Sequence, residues 1–159
     1  MSKSVYCFDT NVLIDCANKR YPKSAFPKMW GLFEELIGEG RLIAPDSVLK
    51  ELERHDDELF RWAAAQRRMW VPFAGRQDNT LVQMASAFPP LTRPVGSRGA
   101  ASETDQLVVA VAHVRDCLVV SHESRGSSSK PKIPELCARF RVTQIGILDV
   151  ILEEGWVFD

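Results

Sequence analysis

The segment VYCFDTNVLID, residues 5–15, decides the fold because its apolar run ends on a carboxylate. Residues 5–8 are continuously apolar, which is typical of a strand covered on both faces, as in a parallel sheet. Apolar residues resume at Val12, where the pattern predicts a first helix. Asp9 is therefore expected at the carboxyl end of a buried strand. There it would either cap the following helix or face a positive group.

The same alternation of short apolar runs and helical patterns continues along the chain. Further strands are predicted at 42–44, 70–73 and 117–120, near Val142, and at 156–158. Helices are predicted at 12–17, from 27 to 37, from 46 onward, and at 57–69, 77–88, 104–114 and 147–152, and residues 133–140 form a further segment without an assigned type. Strands that alternate with helices favour an α/β fold with a mainly parallel sheet. No repeat interrupts the pattern, so residues 1–159 are expected to form a single domain.

Size, charge and cysteine content narrow the class of protein. The 159 residues include 20 lysines and arginines against 21 aspartates and glutamates, so a nucleic-acid site would have to be a local patch. The N-terminus does not resemble a signal peptide, and no run approaches the roughly 20 apolar residues of a membrane span. The four cysteines form no CxxC pair, which favours buried free thiols in a reducing compartment. We therefore expect a cytoplasmic globular protein that does not bind a membrane.

Four acidic residues are expected to border one crevice. In parallel α/β sheets the crevice lies beyond the carboxyl ends of the strands, where the winding reverses. Asp9 and Glu123 each follow a predicted strand, and Glu51 and Asp105 lie on neighbouring predicted helices. Taken singly, Asp9 would cap a helix and Asp105 would form a capping box with Ser102. Glu51 stands in a charged run and Glu123 begins a loop, where acids need no special explanation.

Four carboxylates brought together would repel one another unless a cation neutralised them or their pKa values rose. Mg²⁺ and Mn²⁺ are hard cations that prefer carboxylate and water oxygens. Such an ion lowers the pKa of a bound water and stabilises negative charge on a phosphate. Together the acids therefore indicate phosphodiester hydrolysis at a metal site, although spacing alone leaves the capping interpretation open.

Two loops carry basic residues next to the expected acidic site. The first loop, residues 89–102, is rich in Pro, Gly and Ser, and the second, 124–132, contains three basic residues and no acid. Because clustered carboxylates repel a nucleic acid, positive groups near them are candidates for phosphate contacts. The alternative is that these residues are ordinary solubilising charges. The five candidates are Arg93, Arg98, Arg125, Lys130 and Lys132.

Four blocks of the sequence, in order along residues 5–123, resemble the PIN-domain nucleases and look closest to a poorly characterised PIN-like branch. CFDTNVLID is similar to the family's first strand, acidic motif and helix, and IAPDSVLKEL to its second strand and a helix with an internal Glu. SETDQLVVAVA is similar to a helix that begins with Asp, and VVSHE to a strand that ends in T/S-x-D. The resemblance implies a three-layer α/β/α fold with a mainly parallel central sheet.

The resemblance also implies a function and the residues that perform it. Asn11 and Ser121 would be supporting polar residues that orient a carboxylate. The implied activity is that of a metal-dependent endoribonuclease, acting as the toxin of a toxin–antitoxin pair. The implied partners are RNA in single-stranded or loop regions, an antitoxin protein and a second copy in a homodimer. Catalysis and binding of Mg²⁺ or Mn²⁺ are assigned to four acids, Asp9, Glu51, Asp105 and Glu123.

Two other functions stay open from the sequence. A PIN-like module without turnover would bind nucleic acid or act as a scaffold, although it would not need all four acids. A phosphatase of the haloacid dehalogenase type also begins with a strand that ends in Asp. That mechanism requires a second Asp two residues later, where this chain has Asn11. Neither G-x-G-x-x-G nor G-x-x-x-x-G-K-[ST] is found, which argues against dinucleotide and P-loop chemistry.

Overall fold

The computed structural model describes residues 3–55, 57–72, 75–88 and 101–159. Its centre is a five-stranded sheet in the order β3-β2-β1-β4-β5, and every pair of neighbouring strands is parallel. The strands are β1 (Tyr6–Phe8), β2 (Leu42–Pro45), β3 (Trp70–Val71), β4 (Leu118–Val120) and β5 (Gln144–Ile145).

Helices connect successive strands, as the alternating pattern predicted. The first helix continues into a π-helical turn at Cys16–Arg20, and a 3₁₀ turn at Arg67–Met69 leads into β3. The helices are α1 (Thr10–Asp15), α2 (Pro27–Gly38), α3 (Asp46–His55), α4 (Asp57–Ala65), α5 (Gly75–Ala87), α6 (Glu103–Arg115), α7 (Ile133–Arg139) and α8 (Ile147–Glu154).

Two adjacent residues of β1 show that helices cover both faces of the sheet. Successive side chains of a strand point to opposite faces. The Sγ atom of Cys7 lies 3.5 Å from the carbonyl oxygen of Val108 on α6, whereas the Phe8 ring packs edge-on against Phe33 of α2 with centroids 5.5 Å apart. Helices α6 and α2 therefore lie on opposite sides, which confirms the α/β class and is consistent with the three-layer α/β/α arrangement.

Helix α6 is the central helix of its layer. It contacts β1, β2 and β4, and residues 107–112 are buried one after another. A helix that is apolar on all sides belongs in the interior, so α6 is fixed by packing rather than by one amphipathic face. This packing holds the N-terminal turn of α6, which carries Asp105, at a defined place beside the sheet.

The winding of the sheet reverses between β1 and β4. The chain passes from β1 to β2 and β3 on one side, then returns to β4 and β5 on the other. The Asp9 N–H donates to the carbonyl oxygen of Val120 at 3.1 Å, which joins the carboxyl ends of these two strands. This is the position at which parallel α/β sheets form their binding crevice.

The predicted strand at 156–158 is wrong. Trp156 and Phe158 are half-buried and pack against the core, while the side chain of Val157 between them is 67% exposed. The Trp156 ring lies 6.0 Å from that of Phe33, and Lys28 Nζ donates to the Val157 carbonyl oxygen at 2.7 Å. The alternation thus reflects two aromatic rings docked on the core, not strand pairing.

Two other predicted elements have different bounds in the structure. The strand expected near Val142 is β5, two residues later, and the helix expected over 57–69 ends at Ala65. The sequence pattern does not distinguish the last turn of α4 from the following 3₁₀ turn, since both place apolar side chains on the core.

The four cysteines are free and buried, as predicted. Within the described ranges, none of the helices has the length and hydropathy needed to span a bilayer.

Candidate active site

Asp9 is both a helix cap and a buried member of the candidate site. Its side chain is 1% exposed. One oxygen, Oδ1, accepts from the Val12 N–H at 2.8 Å and so caps α1, and the other, Oδ2, accepts from Ser121 Oγ at 2.6 Å. Burial raises the pKa of this carboxyl to about 6, and the charges of Asp105 and Glu51 also raise it. The capping interpretation is correct, but Asp9 is in addition a buried acid that interacts electrostatically with Asp105 and Glu51.

Ser121 joins the two strand ends that meet at the crevice. Its hydroxyl donates to Asp9 and accepts from the Glu123 N–H at 3.0 Å. The side-chain amide of Gln144 donates to the carbonyl oxygens of Ser121 and Glu123, both at 3.3 Å. The predicted supporting residue is thus in contact with one predicted ligand and with the backbone of another.

Asp105 lies in the first turn of α6, where the predicted capping box forms. The Asp105 N–H donates to Ser102 Oγ and the Ser102 N–H donates to Asp105 Oδ2, each at 3.1 Å. Burial raises the pKa of Asp105, and the charge of Glu51 raises it further, while the bonds to Ser102 and the charge of Lys132 lower it. Asp105 is therefore held rigidly while its carboxyl faces the other acids.

Glu123 follows β4 and reaches toward the start of α7. Its Oε2 accepts from the Ile133 N–H at 3.4 Å. Burial raises the pKa of Glu123 to about 7, and the charges of Asp105 and Asp9 contribute, whereas Lys132 lowers it. Glu123 therefore shares the electrostatic environment of Asp9 and Asp105.

Glu51 approaches the same place from α3. It is half-buried and lines a cleft between α3 and the first turn of α6, beside Thr104. Its charge raises the pKa of both Asp9 and Asp105. The four acids predicted from the sequence therefore act on one another at the carboxyl end of the sheet. We call them the acidic cluster: Asp9, Glu51, Asp105 and Glu123.

The donor chemistry of the acidic cluster suits a hard cation. All of its donors are carboxylate oxygens, the ligands that Mg²⁺ and Mn²⁺ prefer. Across 3–55, 57–72, 75–88 and 101–159, however, no three His, Cys, Asp or Glu side chains are arranged as a ready metal-binding group. The cluster therefore supplies suitable ligands, whose charges raise the pKa of Asp9, Asp105 and Glu123, but it does not form a preformed metal cage.

The remaining predicted residues differ in their placement. Asn11 is exposed on the first turn of α1, and Arg125 and Lys130 are exposed in the second basic loop. Lys132 is half-buried, and its charge lowers the pKa of both Asp105 and Glu123. Arg93 and Arg98 lie outside the described residues.

His122 adjoins Glu123, but the sequence does not indicate which residues its side chain contacts. Its Nδ1 lies 2.9 Å from Asp15 Oδ2, and its Nε2 accepts from the Ile147 N–H at 3.2 Å. Because Nε2 accepts a hydrogen bond and is therefore unprotonated, Nδ1 carries the ring proton and donates to Asp15. His122 thus ties the end of α1 and the start of α8 to the strand end that carries Ser121 and Glu123.

Thr10 is a residue near the site that the sequence analysis missed. It directly follows Asp9 and is 6% exposed. Its hydroxyl oxygen is buried and has no hydrogen-bond partner among the described residues. Buried hydroxyls are rarely left unpaired, so Thr10 Oγ1, on the residue that follows Asp9, has bonding capacity that the described residues do not use.

Comparison with known proteins gives a family but no characterised relative. No curated protein matches the chain. A family model described as "Domain of unknown function (DUF4411)" matches residues 6–158, which include all five strands and the whole acidic cluster. The chain therefore belongs to this family.

Proposed function

We propose that this protein is a metal-dependent endonuclease that hydrolyses phosphodiester bonds of RNA at the acidic cluster. One observation carries the proposal: at the switch point of a parallel sheet, three carboxyl groups from separate segments, those of Asp9, Asp105 and Glu123, each have a pKa raised by burial and by the charge of another acid of the cluster. Perturbed acids gathered in a crevice are typical of functional sites. The resemblance of the same segments to PIN-domain nucleases supports the same activity.

The energetics of the cluster favour a cation as its natural partner. Asp9 is almost fully buried, and the charges of Asp105 and Glu51 raise its pKa, so ionising all four carboxyls in the free protein is costly. A divalent cation would offset both the burial and the repulsion. We therefore assign Mg²⁺ or Mn²⁺ to Asp9, Glu51, Asp105 and Glu123.

The residues of the chain orient the site for hydrolysis. Bound Mg²⁺ or Mn²⁺ would supply water activation and neutralisation of the phosphate charge. Ser121 fixes Asp9 through Oδ2 and the Glu123 backbone through its N–H, so two of the ligands keep a common position. Ser102 holds Asp105 through the capping box. Such fixed positions reduce the reorganisation that catalysis would otherwise require.

The biological setting is proposed from the resemblance. In the setting that the resemblance implies, the protein is a cytoplasmic toxin ribonuclease that forms a homodimer, and an antitoxin blocks its site. An inhibitor of this chain would fill the acidic crevice or place an arginine among the carboxylates. RNA in single-stranded or loop regions would be the substrate.

A binding module without turnover is the second candidate. Two observations favour it: Asp9 and Asp105 both serve as helix caps, and the described side chains form no ready metal-binding group. In that case the acids would be structural, and the basic loop residues alone would contact nucleic acid.

Cleavage of an unstructured RNA with Mn²⁺ or Mg²⁺ distinguishes the two candidates. Asp9→Asn removes the charge and keeps one acceptor oxygen, for the Val12 N–H, while its amide NH2 takes the place of the oxygen that accepts from Ser121. We expect it to lower kcat by several orders of magnitude, because residues of such a cluster act as a unit. Asp78→Asn, at an exposed position of α5, is the matched control. Wild-type protein that binds the RNA and leaves it intact with either metal would instead support the binding module.

A further inference from the structure

Lys132 lies between the segments that carry two members of the acidic cluster. The carbonyl oxygen of Pro131 accepts from the Ala101 N–H at 2.7 Å, and Ala101 directly precedes the capping box of Asp105. On the other side, the Ile133 N–H donates to Glu123 Oε2 at 3.4 Å. Pro131 is thus bonded to the residue that precedes the capping box of Asp105, and Ile133 is bonded to Glu123 itself.

The loop before Lys132 packs against the Lys132 side chain. One oxygen of Glu135 accepts from the N–H groups of Gly126 and Lys132, both at 2.8 Å. A Cβ atom at Gly126 would lie 2.2 Å from the Lys130 carbonyl oxygen and 2.9 Å from Lys132 Cγ. The stem of Lys132 therefore packs against a position where only glycine fits, which restricts where its ammonium can go.

The charge of Lys132 acts on two acids of the cluster, and its ammonium group forms no ion pair with a described carboxylate. It lowers the pKa of Asp105 and of Glu123. Among the described residues, no carboxylate lies within 4.0 Å of its ammonium. Lys132 is half-buried, whereas Arg125 and Lys130 of the same loop are exposed. It is therefore the loop cation placed to meet a ligand at the acidic cluster.

We propose that Lys132 binds a non-bridging oxygen of the scissile phosphate, an inference that rests on the proposed nuclease function. An ammonium group offers three donors on a flexible stem, and a positive charge at this place opposes the repulsion between the acids and the phosphate. The same contact strengthens as negative charge accumulates on the phosphate during hydrolysis. Lys132 thereby acts on the reacting group, and the exposed basic residues contribute to general attraction of RNA.

Three variants test this assignment. Lys132→Gln removes the charge and keeps a polar side chain, Lys132→Arg restores the charge, and Lys19→Gln removes an exposed lysine on the π-helical turn, whose charge acts on Asp15. At saturating Mn²⁺ we expect Lys132→Gln to lower kcat by about 100-fold, the usual cost of one donor to a transition-state charge. Lys132→Arg should recover part of this loss, and Lys19→Gln should match wild type.

Two measurements that do not depend on turnover separate this role from a structural one. Calorimetric titration with Mn²⁺ should give Lys132→Gln an affinity equal to or higher than that of wild type, because a positive charge beside the cluster is removed. Fluorescence anisotropy of a labelled oligoribonucleotide with Ca²⁺ in place of Mn²⁺ should show weaker binding by Lys132→Gln than by Lys19→Gln. A lysine that served only as counter-ion for the acids would change thermal stability without changing kcat at saturating metal.

The outcomes distinguish the inference from the function on which it rests. If wild type cleaves RNA and Lys132→Gln has the kcat of Lys19→Gln, the assignment of Lys132 is wrong and the nuclease function stands. Loss of Mn²⁺ affinity in step with kcat would also overturn it, since Lys132 would then support the metal site rather than the phosphate. Wild type that cleaves neither RNA nor DNA with Mg²⁺ or Mn²⁺ overturns both proposals together.

Discussion

Ser121 Oγ donates to Asp9 Oδ2 at 2.6 Å across the carboxyl ends of β1 and β4, although 112 positions separate the two residues in the chain. This bond lowers the pKa of Asp9 against the larger effect of burial, which raises it. The hydroxyl therefore determines how much of the Asp9 carboxyl is ionised and available to a cation near neutral pH.

Removal of this hydroxyl should shift the pH dependence of cleavage. In Ser121→Ala the pKa of Asp9 rises above its value of about 6, so the ionised form needed by a metal appears at higher pH. We expect the acidic limb of the kcat/KM profile to move upward, together with a loss of about 1–3 kcal/mol in the free energy of unfolding. Ser121→Thr retains the hydroxyl and should keep the wild-type profile. Identical profiles for the Ala and Thr variants would contradict this role.

The free protein should lose stability as pH rises toward neutrality. Asp9 has a pKa of about 6 against its ordinary 3.8, and Glu123 about 7 against 4.5, so between these values the folded state binds more protons than the unfolded state. The free energy of unfolding therefore falls as pH rises from about 4 to about 7 and is then level. For the buried Asp9 the loss is about 3 kcal/mol. Thermal denaturation in EDTA on both sides of this window measures it.

Measurements on Asp9→Asn and on wild type with Mg²⁺ show whether the acidic cluster causes this pH dependence of stability. Asp9→Asn should flatten the slope and be more stable than wild type at neutral pH in EDTA, because a buried charge is removed. Mg²⁺ should stabilise wild type most at the alkaline end of the window, where protons no longer compete for the carboxylates. A metal-free melting temperature that rises steadily through this window would show that burial and the neighbouring acids do not raise the pKa of Asp9 and Glu123 in the folded protein.

The fold and the acidic cluster follow from local patterns in the sequence. The apolar runs that end at Asp9 and before Ser121 are short and continuous, as strands buried on both faces must be, and both are paired in the sheet. The position of Asp105 follows from its capping box with Ser102, a motif of four residues. The placement of acids after strands and at helix starts is local information, so their approach could be predicted from the topology.

The supports of the cluster could not be predicted in the same way. His122 and Asp15 are 107 positions apart, and neither stands in a pattern that indicates the other. The strand predicted at 156–158 failed because Trp156 and Phe158 alternate with Val157 for packing against α2 and the core, which gives the same period as a strand. Contacts between distant segments depend on the final packing, which one sequence does not display.

Gly126→Ala should disturb the loop that holds Lys132. The added methyl would lie 2.2 Å from the Lys130 carbonyl oxygen, so the loop must shift and the bonds of Glu135 to Gly126 and Lys132 would lengthen. We expect a loss of about 1–3 kcal/mol in the free energy of unfolding, and a lower kcat with unchanged Mn²⁺ affinity.

Gly31→Ala in α2 is the control for Gly126→Ala, because nothing lies within 4 Å of its added methyl. The control should be neutral or stabilising by up to about 1 kcal/mol. Equal stability and kcat for both variants would show that the loop tolerates the shift.

A network of charged residues lies at the amino ends of the strands, opposite the edge that carries the acidic cluster. Changing it tests whether the candidate site depends only on the carboxyl ends. Arg41, which directly precedes β2, is 8% exposed and donates to Glu154 through both of its terminal nitrogens and to the Ser4 carbonyl oxygen through Nε at 2.9 Å. Tyr6 also donates to Glu154. Glu154 lies at the end of α8, so this network fastens α8 to the sheet far from the carboxyl ends.

Arg41→Met should destabilise the protein without affecting catalysis. It leaves the half-buried Glu154 without its counter-charge, and breaking such a pair costs about 3–5 kcal/mol. The double variant Arg41→Met, Glu154→Gln should recover much of this loss, because the stranded charge is removed along with its partner. At a temperature where all forms are folded, kcat and Mn²⁺ affinity should equal those of wild type. A lower kcat in Arg41→Met that the double variant did not restore would mean that the amino edge of the sheet communicates with the acidic cluster, and the site could not then be confined to the carboxyl ends of β1 and β4.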